Sequence, residues 1–337
     1  MIMIRKIICG LILISAFGLF PGGLNSARAA NDPAKVMGSN ACAECHKSEA
    51  EVLKGTHHFS TFRDLPRDKK ARDIANKMGV KRLKVGSMCV DCHFTTQMSG
   101  AKVKAIAGIS CESCHSEGKD WIKVHSGYSG KKKETETKAE AKIRWEKTEA
   151  SGMIRPKSIY ALAKNCYSCH VTPRENLVNV GGHSAGSKFE LVSWSQGEVR
   201  HNLWYGNGKE NKPASAERKR LMFVVGLVVE AETSLRAVGK ATQKKTYAVK
   251  MAGRASRARK RLAGAAKILP NVPELASAAK AAQAAGLKLN NDAELSAAAD
   301  KVAAAGKQIA GKYDGSTFGA IDKAIPGPAK YKGKPAR

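Results

Sequence analysis

The chain has 337 residues, with 58 Lys and Arg against 29 Asp and Glu and a formal net charge of +29. So basic a chain is not an acidic docking protein; its field attracts acidic partners and quickens their encounter at low salt. Its apolar runs, Ile7–Phe20 and Leu221–Val229, fall short of the ~20 residues that a membrane-spanning helix needs.

Residues 1–29 read as a secretory signal. Arg5 and Lys6 precede the apolar run Ile7–Phe20, and Ala27-Arg28-Ala29 supplies an A-x-A cleavage site. Cys9 leaves with this segment; bulky Ile8 before it argues against a lipid-anchored cysteine. An exported chain, resident in the periplasm, is expected.

The other eight cysteines fall into four copies of one pentapeptide: Cys42-Ala-Glu-Cys45-His46, Cys89-Val-Asp-Cys92-His93, Cys111-Glu-Ser-Cys114-His115 and Cys166-Tyr-Ser-Cys169-His170. C-x-x-C-H is the attachment sequence for c-type haem. Two intervening residues let both thiols reach the two vinyl groups of one porphyrin, and the following histidine lies under the iron. Paired C-x-x-C also builds Cys₄ zinc ribbons, but those do not require the histidine. Histidine is only 9 of 337 residues, so four such coincidences would arise by chance about once in a million. Four covalently attached haem c groups are therefore expected, with Cys42, Cys45, Cys89, Cys92, Cys111, Cys114, Cys166 and Cys169 as thioether residues. His46, His93, His115 and His170 are the expected proximal iron ligands.

All four motifs lie between residues 42 and 170. That stretch is too short to build an ordinary apolar core around four cofactors, so the porphyrins themselves are expected to be the core, with the thioethers as staples. The fold class expected is mostly α: a haem domain over residues 30–213 with little regular structure, followed by a C-terminal α-helical region. Gly130 to Lys142, rich in Lys and Glu, is expected as an exposed loop or helix end. With eight propionates and four ferric porphyrin cores added to the mature chain, the net charge stays near roughly +22. Redox proteins with acidic docking surfaces are the expected partners, an anionic membrane surface is a further option, and nucleic acid is not expected. The sequence does not fix the oligomeric state.

After about residue 213 the composition shifts to Ala, Lys and Arg, with no Cys or His. The stripe Leu221, Val224, Val228, Ala231, Leu235, Val238 predicts one face of an amphipathic helix. Pro270 and Pro273 interrupt the pattern. A further helix is expected to start at Asn291, with Glu294 completing a capping box and Leu295, Ala298, Val302, Ala305 and Ile309 along one face. Residues 214–324 thus read as a helical hairpin or bundle against the haem domain, and 325–337 as a flexible tail.

Five histidines remain for the sixth iron positions: His57, His58, His125, His183 and His201. A second imidazole is the usual closing ligand in low-potential multihaem cytochromes. His57 and His58 are adjacent, so one of them ligates. Met88 and Met98 are fallback ligands.

The motif order, the phrase Gly108-Ile109-Ser110-Cys111-Glu112-Ser113-Cys114-His115, the close second and third motifs and a histidine shortly after the first and third resemble the tetrahaem cytochrome c-554 family over about residues 40–205. The best-known member of that family accepts electrons from hydroxylamine oxidoreductase. The resemblance implies an electron carrier in the respiration or oxidation of nitrogen compounds. It also implies His58 as distal ligand of the fourth haem, His125 of the first and His201 of the third. The family leaves the second haem five-coordinate; here the chain departs, because His183 in Gly181-Gly182-His183 could close it. Were that iron open, a haem enzyme acting on nitric oxide, nitrite or hydroxylamine would be the alternative. No C-x-x-C-K motif, a mark of many multihaem nitrite reductases, occurs here. An electron carrier without catalytic residues is the expectation.

Overall fold

The computed structural model describes residues 31–336. The expected signal segment 1–29 and Cys9 lie outside them. The fold is mostly α, 59% helical, with one antiparallel hairpin of β1 (Thr95–Ser99) and β2 (Lys102–Ala107). No helix among the described residues is long and apolar enough to cross a membrane.

The first half consists of short helices strung between turns. Those that matter below are α1 (His57–Asp64), α2 (Lys69–Lys77), α3 (Lys138–Ala150) and α4 (Ile159–His170). The first three start at a side-chain cap. Thr56 Oγ1 accepts from Phe59 N at the start of α1, Asp68 from Ala71 N at α2, and Thr137 with Glu140 forms a reciprocal capping box at α3, satisfying otherwise orphaned N–H groups. The Gly130–Lys142 stretch thus ends in the first turns of α3.

The second half is built from four long helices: α5 (Ala216–Gly239), α6 (Thr246–Ile268), α7 (Pro273–Ala284) and α8 (Asp292–Lys312). Pro273 sits in the first turn of α7, where its missing N–H costs nothing. Leu295, Ala298, Val302, Ala305 and Ile309 form the buried face of α8. Leu221, Val224, Val228, Ala231, Leu235 and Val238 are buried too, but α5 is not the one-faced amphipathic helix expected: it is buried all round from Leu221 to Glu232, because other helices pack on its several sides. α5 packs on α8, α6 and α4. At the start of α8 the expected capping box does not form: neither side chain caps the helix. Glu294 instead takes the Asn291 side-chain amide at 2.6 Å and the Gly286 N–H at 2.9 Å, because the preceding loop folds back within its reach.

The two halves differ in where apolar surface goes. From Ile159 onward, buried apolar residues form one continuous core. Between residues 31 and 158 the buried apolar residues are Val36, Ala50, Ala75, Phe94 and Trp121 alone. Five side chains cannot offset the conformational entropy of ordering so much chain, so that half requires another source of buried apolar area.

The halves are joined by polar contacts as well as packing. Glu232 on α5 is fully buried and receives Tyr160 Oη at 2.5 Å and Lys164 Nζ at 3.0 Å from α4, and Arg236 Nε at 3.1 Å. The last residues, expected as a flexible tail, run along the loop that follows Ser195: Lys332 N donates to Ser193 O, Glu198 N to Lys332 O, and Asn211 Nδ2 to Ala336 O.

Candidate haem-binding site

In each motif, the two cysteines and the histidine occupy a single helical turn. His46 N donates to Cys42 O at 2.9 Å and His93 N to Cys89 O at 3.1 Å; Cys111–His115 is itself a short helix, and Cys166–His170 ends α4. One turn of helix sets both thiols and the ring on the same side. None of the eight cysteines is in a disulfide.

Each motif histidine faces one of the five other histidines. His46 and His125 lie with ring centroids 6.0 Å apart, His93 and His183 6.3 Å, His115 and His201 6.1 Å, and His170 and His58 6.1 Å. Two metal–nitrogen bonds of about 2 Å, plus the distance from nitrogen to ring centre on both sides, give roughly 6 Å. The four separations fit an iron held between two imidazoles. His57, the neighbour of His58, instead turns outward: its side chain is 89% exposed and its Nδ1 meets Glu198 Oε2 at 2.7 Å. Across from His93 the ring is His183, and Met98 is 38% exposed on the hairpin.

In four of the rings Nδ1 is occupied in a way that leaves Nε2 for a metal. His115 Nδ1 pairs with Ile154 O, His170 Nδ1 with Ser187 Oγ, His183 Nδ1 with Ser184 O and His201 Nδ1 with Val199 O, all at 2.7–2.8 Å. Such outer partners fix the tautomer and orientation of a ligating ring. Burial pushes His93, His125 and His170 down to about 4 and lowers His46 and His58, which keeps them as neutral imidazoles, the form that binds metal.

Two further observations fit a large cofactor between these rings. Among the described residues, His125 Nδ1, Trp121 Nε1 and Trp194 Nε1 are buried without a protein partner, and the two indoles stand 5.8 Å from His125 and 4.7 Å from His170. Buried donors of this kind call for an acceptor. The thiols also do not gather in fours as a zinc ribbon requires. They pair across motifs, Cys42 with Cys111 and Cys92 with Cys169, and no group of three or more His, Cys, Asp or Glu among the described residues would hold a bare ion.

These pairs also order the motifs in space. The first adjoins the third through Cys42 and Cys111; the third joins the fourth through Asn165 Nδ2, which donates to Ser113 O and Cys114 O; the fourth adjoins the second through Cys169 and Cys92. The sequence order 1-2-3-4 becomes the spatial order 1-3-4-2.

Several residues that organise the site carry no attachment signature. Glu112, the first residue between the cysteines of the third motif, is 1% exposed. Its carboxylate accepts from Met37 N at 2.8 Å, Gly38 N at 2.7 Å and Gly118 N at 2.7 Å, tying the chain before the first motif to the third. Ser110 and Ser113 form a reciprocal cap, and both meet Thr95 Oγ1. At Gly108 a Cβ would stand 2.5 Å from Phe59 O and 2.7 Å from His58 O. Only glycine lets the strand leading into the third motif approach the helix that presents His58. Arg144, paired to Glu136, donates to His125 O and so holds that short helix. The G-x-x-C-E-S-C-H phrase was the signal that could have marked Gly108 and Glu112; nothing local marks Arg144.

The family model for cytochrome c554 and c-prime matches residues 41–116, the stretch holding the first three motifs. Cytochrome c-554 of Nitrosomonas europaea is 27% identical over 173 residues, covering 49% of this chain and 68% of that protein. No solved structure matches the chain. The paired histidines beside each C-x-x-C-H motif and these two matches make the chain similar to the cytochrome c-554 family and support a multihaem cytochrome of that kind.

Proposed function

We propose that this protein is a periplasmic electron carrier with four covalent haem c groups, each iron closed by two histidines. Similarity to the cytochrome c-554 family supports a c-type cytochrome that carries electrons. The observation that carries the finer reading is the set of four facing histidine pairs, at 6.0–6.3 Å. In it, Cys42 and Cys45, Cys89 and Cys92, Cys111 and Cys114, and Cys166 and Cys169 would hold the cofactors, and His46 with His125, His93 with His183, His115 with His201 and His170 with His58 would hold the irons. Haem bound there would take up and return one electron per iron at a potential tuned by its ligands.

The protein's own part is to orient and shield. Ile154 O, Ser187 Oγ, Ser184 O and Val199 O hold four of the rings by their Nδ1 atoms. The enzyme alternative needs an iron without a sixth ligand, and a ring opposite each proximal histidine weighs against it. A role with nitrogen compounds rests on the family resemblance, and acidic redox partners on the net charge of +29.

Mass spectrometry of the mature protein tests the core of this reading: four haem additions are expected, and fewer would overturn it. Low-temperature EPR of the oxidised protein tests the closure. Low-spin signals alone, with no nitric oxide adduct after reduction, are expected; a high-spin signal from one haem would overturn it.

A further inference from the structure

The positive charge of this protein is not spread evenly over the motifs. Between Lys69 and Lys84 the chain carries Lys69, Lys70, Arg72, Lys77, Lys81, Arg82 and Lys84 against one acid, Asp73. All but Lys84 are exposed, and among the described residues none of the seven makes an ion pair. Basic residues elsewhere are often matched, as in Lys35–Asp120, Arg144–Glu136 and Arg220–Asp322.

This segment sits on the second motif. Lys77 and Met78 lie against the glycines that lead into His183: a Cβ at Gly181 would stand 3.1 Å from Met78 Sδ, and one at Gly182 would stand 3.8 Å from Lys77 Nζ. At its other end Lys84 Nζ lies 3.4 Å above the Phe62 ring, and Phe62 meets Phe94, the residue after His93, edge-on at 6.3 Å. The basic chain therefore reaches both sides of the His93–His183 pair. Within the patch Val85 is 47% exposed, and Val180, just before Gly181, is 57% exposed.

The second motif is one end of the spatial order 1-3-4-2. The other end, the first motif, is flanked in sequence by Glu44, Glu49 and Glu51 against Lys47 and Lys54, with Glu51 paired to Lys54, so its own segment carries no such excess. An apolar spot inside a charged rim is the anatomy of a protein–protein contact, and uncompensated like charge concentrated at one end of a carrier orients the approach of an opposite charge.

We propose that the Lys69–Lys84 segment, with Val85 and Val180, is the docking surface for an acidic one-electron redox protein, which exchanges electrons at the second motif. This rests on the carrier function proposed above and adds where the partner binds. The surface fits a protein better than a lipid face: α2 has only nine residues, and the basic run continues past it through Lys81, Arg82 and Lys84 rather than lining one long amphipathic helix.

The test uses the holoprotein and a flavodoxin hydroquinone as an acidic one-electron donor. Reduction is followed by stopped flow at low and high salt for wild type, for the triple variant Lys77→Glu, Lys81→Glu, Arg82→Glu, and for a control with the same charge change on the C-terminal helices, Lys267→Glu, Lys280→Glu, Lys301→Glu. The patch variant is expected to slow at low salt by about tenfold or more, and the control by less than about threefold. Equal slowing of both, or none in the patch variant, would overturn the docking surface. So would patch-dependent sedimentation with phosphatidylglycerol vesicles combined with an unchanged flavodoxin rate, which would make the patch a lipid-binding face. Dithionite titration of the same samples reads the carrier function by itself. Loss of reversible reduction would sink that reading and the docking surface with it, whereas intact reduction with equal slowing of both variants sinks the docking surface alone.

Discussion

His183 faces His93 with ring centroids 6.3 Å apart and planes at 61°, a separation within a few tenths of an ångström of the other three pairs. His183 comes from a loop rather than a helix. Its N–H donates to Leu177 O, and its Nδ1 is held by Ser184 O at 2.8 Å.

That geometry makes His183→Ala the most informative single change. Removing this ring leaves His93 without an opposing imidazole and disturbs no other pair. We expect a high-spin EPR signal from one haem where wild type has none, and a nitric oxide adduct on reduction. A spectrum identical to wild type would mean that another group closes the second haem.

His201 depends on the C-terminal strap. A Cβ at Gly197 would stand 1.9 Å from Lys332 O, and Lys332 bonds both Ser193 and Glu198. Gly197→Val, or removal of residues 331–337, should free the loop that carries His201. The expected result is weakened low-spin character at one haem in near-infrared magnetic circular dichroism, with the other three unchanged.

Glu112 ties three backbone N–H groups from two segments to the third motif. Charge-assisted hydrogen bonds contribute about 1.5–3 kcal/mol each, and loss of the acceptor leaves buried donors unpaired. Glu112→Ala should therefore lower unfolding stability by about 3–5 kcal/mol in chemical denaturation, and Glu112→Gln by less. The haem count on mass spectrometry should stay the same in both.

Acid stability should involve Glu175. Burial alone would raise this carboxyl, but hydrogen bonds from Thr242 Oγ1, Thr242 N and Gln243 N outweigh it and hold it below its ordinary value of 4.5. A depressed carboxyl contributes stability that is fully present above pH 4.5 and is lost as pH falls through the lower folded value. Glu175→Gln should flatten the acid limb of the stability–pH curve and leave the neutral region's slope unchanged. An unaltered acid limb would assign it to other groups.

The sequence by itself determined what is local. A C-x-x-C-H turn carries thiols and ring on five consecutive residues, so the four turns that would hold haem are legible in the chain alone. The 3–4 spacing of Leu295 to Ile309 marks the buried face of α8, because helical periodicity depends only on near neighbours, whereas α5 is buried on every side from Leu221 to Glu232 because neighbouring helices surround it. What joins distant segments was decided by tertiary structure. His57 and His58 are equivalent in sequence, yet α1 turns one to Glu198 and the other to His170. His183 meets His93 across about 90 residues, Glu112 reaches back to Met37, and Lys332 straps the loop of His201. Each needs two remote backbones to approach within a hydrogen bond or an iron's width, and no pattern of neighbouring residues encodes that distance.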